Sequence, residues 1–272
     1  MKIKKIFLTL VMVAIVLAGG LIFHYHKNQE EIIFRTVPLD ETHVFELEHP
    51  YQEIFLQTPD ETRINGLWFH QTGAKGVVLF FHGRGKNLDF WAHRAYPFIQ
   101  KGYDVFIIDY RGFGKSSKGV TESSLLEDGD VAYDFLLAHY PEDKIVVYGH
   151  SMGTSIATWV ASTHNPQMLI LEAPYTNMIE AAAFTKPFVP EWLIKWILKY
   201  HLRNDLWITR VKCPIYIFHG KLDTTVPYNH SQKLYSSIKD NRQNEMITLP
   251  NAGHGNISHD PIYSKKLNEI LP

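Results

Sequence analysis

The chain has 272 residues, and its 27 basic and 28 acidic side chains leave a formal net charge of -1. This balance argues against a nucleic acid partner, because surfaces that bind nucleic acids are strongly basic. Cys213 is the only cysteine, which excludes an internal disulfide framework and a thiolate zinc cluster.

The first 27 residues form a separate segment. Three lysines precede an uncharged apolar stretch, residues 6–23, which is at the lower limit for a membrane-spanning helix and longer than the usual apolar part of a signal peptide. We predict an uncleaved signal anchor in residues 1–27; a signal peptide cleaved near Ala18-Gly19-Gly20 is the second interpretation, and a buried helix is the third. With the lysines ahead of the span, the domain of residues 28–272 is expected on the exported side, periplasmic or extracellular, or secreted after cleavage.

The rest of the chain alternates strand and helix patterns, which predicts a single α/β domain. The first two strands flank a polar turn that contains Pro59-Asp60, so we expect an antiparallel hairpin. The later apolar runs do not alternate, as parallel strands covered on both faces require. Strands are predicted at residues 53–57, 63–69, 76–81, 105–108, 145–148, 168–171, 215–218 and 246–249, and helices at 88–101, 123–139, 154–164 and from about 256 to the end.

About forty residues separate two of these strands, far more than an ordinary connection needs, which predicts an inserted helical cap at about residues 174–212. Trp192, Trp196 and Tyr200 lie there at i, i+4 and i+8. We expect this aromatic stripe to pack on the domain. The alternative is a cap helix that lies over the active site and faces lipid or an acyl chain.

Residues 149–153 read Gly149-His150-Ser151-Met152-Gly153, between a predicted strand and a predicted helix. Glycine two residues to either side lets the backbone turn sharply and lets neighbouring elements approach without a Cβ clash. This pattern predicts a nucleophilic serine at the tip of the turn. The backbone N–H of Met152, at the first turn of the helix, would stabilise an oxyanion.

A serine nucleophile needs a general base and a group that orients that base. Asp223 follows the strand at 215–218, at the carboxyl strand edge where α/β sheets gather their sites, and is the predicted acid. A purely structural role as a helix cap near Tyr228 is the alternative, and Glu172 is a competing acid. His254, which lies between two glycines behind the last strand, is the predicted base. Although His259 is near, there is no metal-binding motif, and no metal or cofactor is expected.

The second oxyanion donor is expected in the loop that follows the first parallel strand. Gly83 and Gly85 free the backbone there, so the N–H of Arg84 would pair with that of Met152. The Arg84 guanidinium could instead bind an anionic substrate group. His82 is expected to support the loop rather than to carry protons, and the segment 110–116 is interpreted as a tight strand exit that supports the site.

Five motifs lie in order along the chain: Phe81-His82-Gly83, residues 109–116, residues 149–153, His219-Gly220-Lys221-Leu222-Asp223 with Val226-Pro227, and Gly253-His254. Together they resemble the α/β-hydrolase superfamily, and more narrowly its serine aminopeptidase and monoglyceride-lipase-like branch, which includes membrane-anchored hydrolases of lysophospholipids and acylated proteins. The resemblance implies an α/β-hydrolase fold with a mostly parallel eight-stranded sheet, helices on both faces and a short helical cap. It also implies a triad of Ser151, Asp223 and His254, with Arg84 and Met152 as oxyanion donors. Relatives often carry small residues after His-Gly, where this chain has Arg84-Gly85.

The expected activity is therefore that of a serine hydrolase which cleaves carboxylic esters of lipids, lysophospholipids or other acyl groups through an acyl-enzyme on Ser151. An aminopeptidase, amidase or acyl-protein thioesterase of the same fold is the alternative. An inactive membrane-tethered scaffold is a third interpretation. The expected partners are a small acyl ester and the membrane, the latter through the N-terminal helix; the oligomeric state is left open.

Overall fold

Eight strands form one mostly parallel sheet in the order β1-β2-β4-β3-β5-β6-β7-β8 in the computed structural model, which describes residues 2–238 and 243–272. β1 pairs antiparallel with β2, and β2 pairs antiparallel with β4, whereas every pair from β4 to β8 is parallel. The predicted fold class is confirmed. The strands are β1 (Gln52–Gln57), β2 (Arg63–Phe69), β3 (Val77–Phe81), β4 (Asp104–Asp109), β5 (Ile145–His150), β6 (Met168–Glu172), β7 (Ile215–Gly220) and β8 (Glu245–Leu249).

Helices cover both faces of this sheet and also form the N-terminus. The predicted single helix over 88–101 is divided into two short helices, which a 3-10 turn at Ala92–Ala95 separates. Pro97, near the start of the second helix, has no backbone N–H to donate. The helices are α1 (Lys2–Lys27), α2 (Gln29–Phe34), α3 (Leu88–Trp91), α4 (Tyr96–Ile99), α5 (Glu122–Leu137), α6 (Gly153–Thr163), α7 (Met178–Thr185), α8 (Glu191–Ile197), α9 (Asn204–Trp207), α10 (Asn229–Ser237) and α11 (Pro261–Ile270).

The central strands are buried along their whole length, as their unbroken apolar sequence predicts. Successive side chains point to opposite faces, so in β3 Val77, Leu79 and Phe81 join one core cluster, and Val78 and Phe80 join the other. The two cores hold the sheet rigidly between helical layers. The loops at the carboxyl ends of the strands therefore have a fixed base.

The segment between β6 and β7 contains α7, α8 and α9. The expectation that its aromatic stripe packs on the domain is wrong for both tryptophans: the side chains of Trp192 and Trp196 are each 71% exposed. α8 ends at Ile197, so Tyr200 lies beyond the helix, where it is buried. Ile194 on α8 and Leu198 just after it make the packing contacts instead.

α1 is a continuous helix of 26 residues with no buried residue. Its length and composition are sufficient to cross a membrane, and a signal sequence would have the same properties. At ~1.5 Å per residue, the apolar stretch 6–23 measures about 27 Å, close to the thickness of a hydrocarbon core. α1 thus fits a membrane anchor or a signal sequence.

Candidate active site

Ser151 lies at a strained turn between β5 and α6. Its φ of 51° is in the left-handed region, which a serine adopts only where the surroundings enforce it. The Ser151 N–H donates to the Glu172 carbonyl at 2.8 Å, so the neighbouring strand β6 holds this turn. The turn presents the Ser151 side chain at the carboxyl edge of the sheet.

The two glycines of the turn are required for close packing. A Cβ on Gly153 would lie 2.1 Å from the Phe81 carbonyl oxygen, and a Cβ on Gly149 would lie 2.6 Å from the Gly153 carbonyl oxygen. Both obstacles are backbone atoms, which cannot move aside as a flexible side chain would. Glycine therefore allows β3, β5 and α6 to meet directly beneath the serine.

The residues predicted as nucleophile, base and acid lie in one hydrogen-bonded chain. His254 Nε2 is 3.0 Å from Ser151 Oγ, and His254 Nδ1 is 2.7 Å from Asp223 Oδ2. Because a carboxylate only accepts, Nδ1 carries the proton, and Nε2 is left to accept the serine O–H. This is the arrangement in which an imidazole can remove a proton from a serine hydroxyl.

The carboxylate of Asp223 is held in its ionised form. Burial alone would raise its pKa, but the hydrogen bonds of His219 and His254, the charge of His254 and the Val226 amide together hold this pKa well below its usual range. Oδ1 accepts the N–H groups of Thr225 and Val226, each at 2.8 Å. Asp223 is consequently a fixed negative charge behind the imidazole.

His219 is a member of this arrangement to which the sequence pattern assigned no role. Its Nε2 lies 3.2 Å from Asp223 Oδ2 and 2.9 Å from the Val226 carbonyl oxygen, and the side chain is fully buried at the end of β7. Since both partners are acceptors, Nε2 carries the proton and donates. In the sequence, the one feature that could have pointed to this role was the position of His219 in the motif, four residues before Asp223.

The predicted oxyanion donors are two backbone N–H groups. Among residues 2–238 and 243–272, neither the N–H of Arg84 nor that of Met152 donates to a protein acceptor, so both are available to a ligand. The loop that carries Arg84 is fixed because the Trp91 indole donates to the Gly85 carbonyl and the Gly85 N–H donates to the Phe34 carbonyl, both at 2.9 Å. Partial burial and the nearby charge of Arg35 lower the pKa of the Arg84 guanidinium.

The loop after β4 supports this region from below, as expected. The Tyr110 hydroxyl donates to the His82 carbonyl at 2.9 Å, and His82 Nε2 lies 3.2 Å from the buried Asp109 carboxylate. Burial raises the pKa of Asp109, although His82 opposes that shift. His82 is fully buried, in accordance with a supporting role.

Glu172, the competing acid, does not orient His254. Its carboxylate contacts Arg94 at 2.5 Å and His150 Nδ1 at 3.0 Å, beneath the Ser151 turn. Burial would raise the pKa of Glu172, but Arg94 and His150 lower it to about 2. Burial also lowers the pKa of His150 despite the nearby carboxylate. This charged network was not foreseen from the sequence, because its members come from three separate elements.

The part of the chain that the structure describes brings together no group of three or more side chains suited to a metal ion. At this edge of the sheet the structure brings together the side chains of Ser151, His254 and Asp223.

The family model described as "Serine aminopeptidase, S33" matches residues 72–207, half of the chain. A protein of Acanthamoeba polyphaga mimivirus named as an alpha/beta hydrolase is 31% identical over 201 residues, which cover 71% of this chain and 72% of that protein. The lysophosphatidylserine lipase ABHD12 of Macaca fascicularis is 29% identical over 195 residues, which cover 62% of this chain and 48% of the lipase. An esterase structure from Pyrococcus furiosus superposes with a TM-score of 0.68 at 22% identity, covering 88% of this chain and 98% of that one, and it shows the likeness of fold.

Proposed function

Since the chain belongs to the α/β-hydrolase superfamily, in the family described as serine aminopeptidase, S33, we propose that it is a serine hydrolase that cleaves carboxylic esters through an acyl-enzyme on Ser151. One observation carries the proposal. A serine on a strained turn, a histidine and an ionised carboxylate are joined by contacts of 3.0 Å and 2.7 Å in the order that nucleophilic catalysis requires.

In the proposed mechanism, Ser151 Oγ attacks the ester carbonyl carbon while His254 Nε2 takes the hydroxyl proton. Asp223 keeps the proton of His254 on Nδ1 and stabilises the imidazolium. The N–H groups of Arg84 and Met152 stabilise the oxyanion of the tetrahedral intermediate. His254 then returns the proton to the leaving alcohol, and water, activated by the same imidazole, releases the acid from Ser151.

The substrate class that fits best is an acyl ester of a lipid, such as a lysophospholipid. α1 would place the catalytic domain at a membrane, where such esters are concentrated. One relative is named as a lysophosphatidylserine lipase, which supports the same class. Glu172 contacts Arg94 and His150 and is therefore not available to bind the amine of an aminopeptidase substrate.

We further propose that residues 1–27 form an uncleaved anchor and that residues 28–272 form the catalytic domain, with a cap at about residues 174–212. The lysines ahead of the apolar stretch favour a cytoplasmic N-terminus and an exported domain.

The full chain in detergent micelles, treated with a fluorophosphonate probe, tests the nucleophile. We expect the wild type to be labelled and Ser151→Ala to remain unlabelled. Ser155→Ala is a matched control, because Ser155 lies one turn further along α6 and donates to the Tyr175 hydroxyl. An unlabelled wild type, or equal labelling of the Ser151 variant, would refute the mechanism.

A panel of p-nitrophenyl esters of increasing chain length, measured beside aminoacyl anilides, tests the substrate class. We expect the rate of ester hydrolysis to increase with acyl chain length. Faster cleavage of the anilides would instead identify an aminopeptidase or amidase.

A further inference from the structure

We infer that Phe188, Trp192 and Trp196, the aromatic face of the cap, contact the bilayer that α1 spans, and that α2 holds them there by hydrogen bonds to the end of α8. The inference rests on the anchor proposed for α1 but not on the proposed catalysis. We propose that the lipid surface itself covers this aromatic face.

The three aromatic side chains are exposed to an unusual degree. Phe188 is 98% exposed, and Trp192 and Trp196 are each 71% exposed. Trp192 and Trp196 are one helical turn apart on α8, so they share one side of the helix. A group of large aromatic residues on the surface marks a contact with another apolar phase, because leaving it in water is unfavourable.

Gln29, at the start of α2, connects the anchor to the cap. Its side chain is fully buried; Nε2 donates to the Ile197 carbonyl at 2.7 Å, and Oε1 accepts the Lys199 N–H at 2.9 Å. The first bond satisfies a carbonyl that the end of α8 leaves unpaired, and the second pairs the N–H of Lys199, two residues beyond the helix. A single side chain from the juxtamembrane helix thus caps the helix that carries both tryptophans.

Further contacts make this junction stiff. The Tyr200 hydroxyl donates to Glu30 Oε1 at 2.7 Å, and the Tyr200 ring meets the Phe34 ring edge-on at 4.7 Å. His26 Nδ1, near the end of α1, lies 3.2 Å from the same Ile197 carbonyl oxygen. α2 and the last turn of α1 are therefore held against the cap, which limits the rotation of the cap relative to α1.

The contact between His26 and the Ile197 carbonyl determines how deep in the bilayer the aromatic face lies. The apolar stretch ends at Phe23, and His26 is three residues further, or about 4.5 Å along a helix. Trp196 is the chain neighbour of Ile197, which His26 contacts, and so lies close to the boundary between hydrocarbon and headgroups. Tryptophan is favoured at that boundary, because its ring is apolar and its indole N–H is polar.

Fluorescence quenching of the full chain in nanodiscs tests the location of the tryptophans. Lipids brominated on the acyl chain quench only tryptophans that lie near them. We expect brominated lipid to quench the wild type, and the double variant W192F/W196F to lose most of that quenchable fraction. Trp207→Phe is the control, because Trp207 is buried against Trp159, and this variant should keep the wild-type quenching.

Two outcomes would overturn the inference. Equal quenching in the wild type and W192F/W196F would place the aromatic face away from lipid. A wild-type dimer in detergent that becomes monomeric in W192A/W196A would show that a second copy covers it. Neither readout depends on hydrolysis, so a failure here is distinguishable from a failure of the proposed chemistry.

Gln29→Ala tests the connection between anchor and cap. The variant should show at most half of the wild-type quenching by brominated lipid. Gln57→Ala, on the first strand, is the matched control, since its side chain donates to the carbonyl of Glu61, an exposed turn residue remote in sequence from α2 and the cap. Wild-type quenching in Gln29→Ala would show that α2 does not position the cap.

Discussion

His219 Nε2 lies 3.2 Å from Asp223 Oδ2, the same oxygen that contacts His254 at 2.7 Å. Two imidazoles thus share one carboxylate oxygen, one of them fully buried and the other beside Ser151. The buried ring fixes the direction in which the carboxylate faces His254. We therefore expect His219 to act as a positioning residue rather than as a group that contacts substrate.

His219→Ala should lower kcat on a p-nitrophenyl ester about 10-fold, the effect of losing one hydrogen bond of ~1 to 1.5 kcal/mol. KM should change little, because the residue is remote from the substrate. Steady-state kinetics checks both values. His139→Ala should leave both values unchanged, because the His139 ring contacts the Phe135 carbonyl and the rings of Trp68 and Phe135 rather than the residues around Ser151. A rise in KM with unchanged kcat would contradict a positioning role.

Asp223→Asn should lower kcat by about 10³- to 10⁴-fold, because an amide can donate to His254 and so favour the wrong tautomer. The two backbone bonds to Oδ1 remain possible, so the fold should be preserved. The kcat value, together with a thermal unfolding curve, tests this expectation. Asp205→Asn, which alters a carboxylate paired with Arg203, is the comparison. A loss of less than 10-fold would show that Asp223 does not orient the base.

The variants Arg84→Ala and Arg84→Pro distinguish the role of the Arg84 backbone N–H from that of its guanidinium. Alanine keeps the N–H, so kcat on a neutral short-chain ester should stay within about 3-fold of the wild type, whereas proline removes it and should lower kcat about 10²- to 10³-fold. Gly83, the residue before this position, has no Cβ to clash with the proline ring. Circular dichroism controls for the fold. If alanine were as harmful as proline, the guanidinium would be the active group.

Gly153→Ala should lower the free energy of unfolding by about 3 kcal/mol, because its Cβ would lie 2.1 Å from a backbone oxygen of β3. Urea unfolding in detergent measures the change. Gly255→Ala is the matched control, because no atom lies within 4 Å of its Cβ position. Equal stability of the two variants would show that the turn can relax around a methyl group.

Glu172→Gln should be less stable than the wild type at pH 7, since it leaves Arg94 without its buried counter-charge. The pKa of Glu172 is lowered to about 2, so its contribution is complete above the unfolded pKa of 4.5 and is lost as the pH falls towards 2. The stability difference between wild type and variant should therefore shrink by about 3 kcal/mol between pH 5 and pH 2. Urea unfolding at a series of pH values measures it; a constant difference would contradict the ionised pair.

The eight strands and the candidate triad could be predicted from local patterns. Continuous apolar runs located the strands, and glycines beside Ser151 and His254 marked the turns, because strand burial and tight turns place demands on residues close in the chain. The partners of Glu172 could not be read in this way. Arg94 comes from a 3-10 turn after α3, and only the sheet order brings it beneath β5 and β6.

The sequence by itself determined the alternation of strands and helices, the apolar N-terminal helix and the order of serine, acid and histidine. Each of these depends on spacing within a few residues. Tertiary structure alone decided that Trp192 and Trp196 face outward, that His219 shares the carboxylate of Asp223, and that Gln29 bonds to Ile197 across 168 positions. Such contacts depend on which distant segments the packed sheet brings together, and no local period or turn motif encodes that choice.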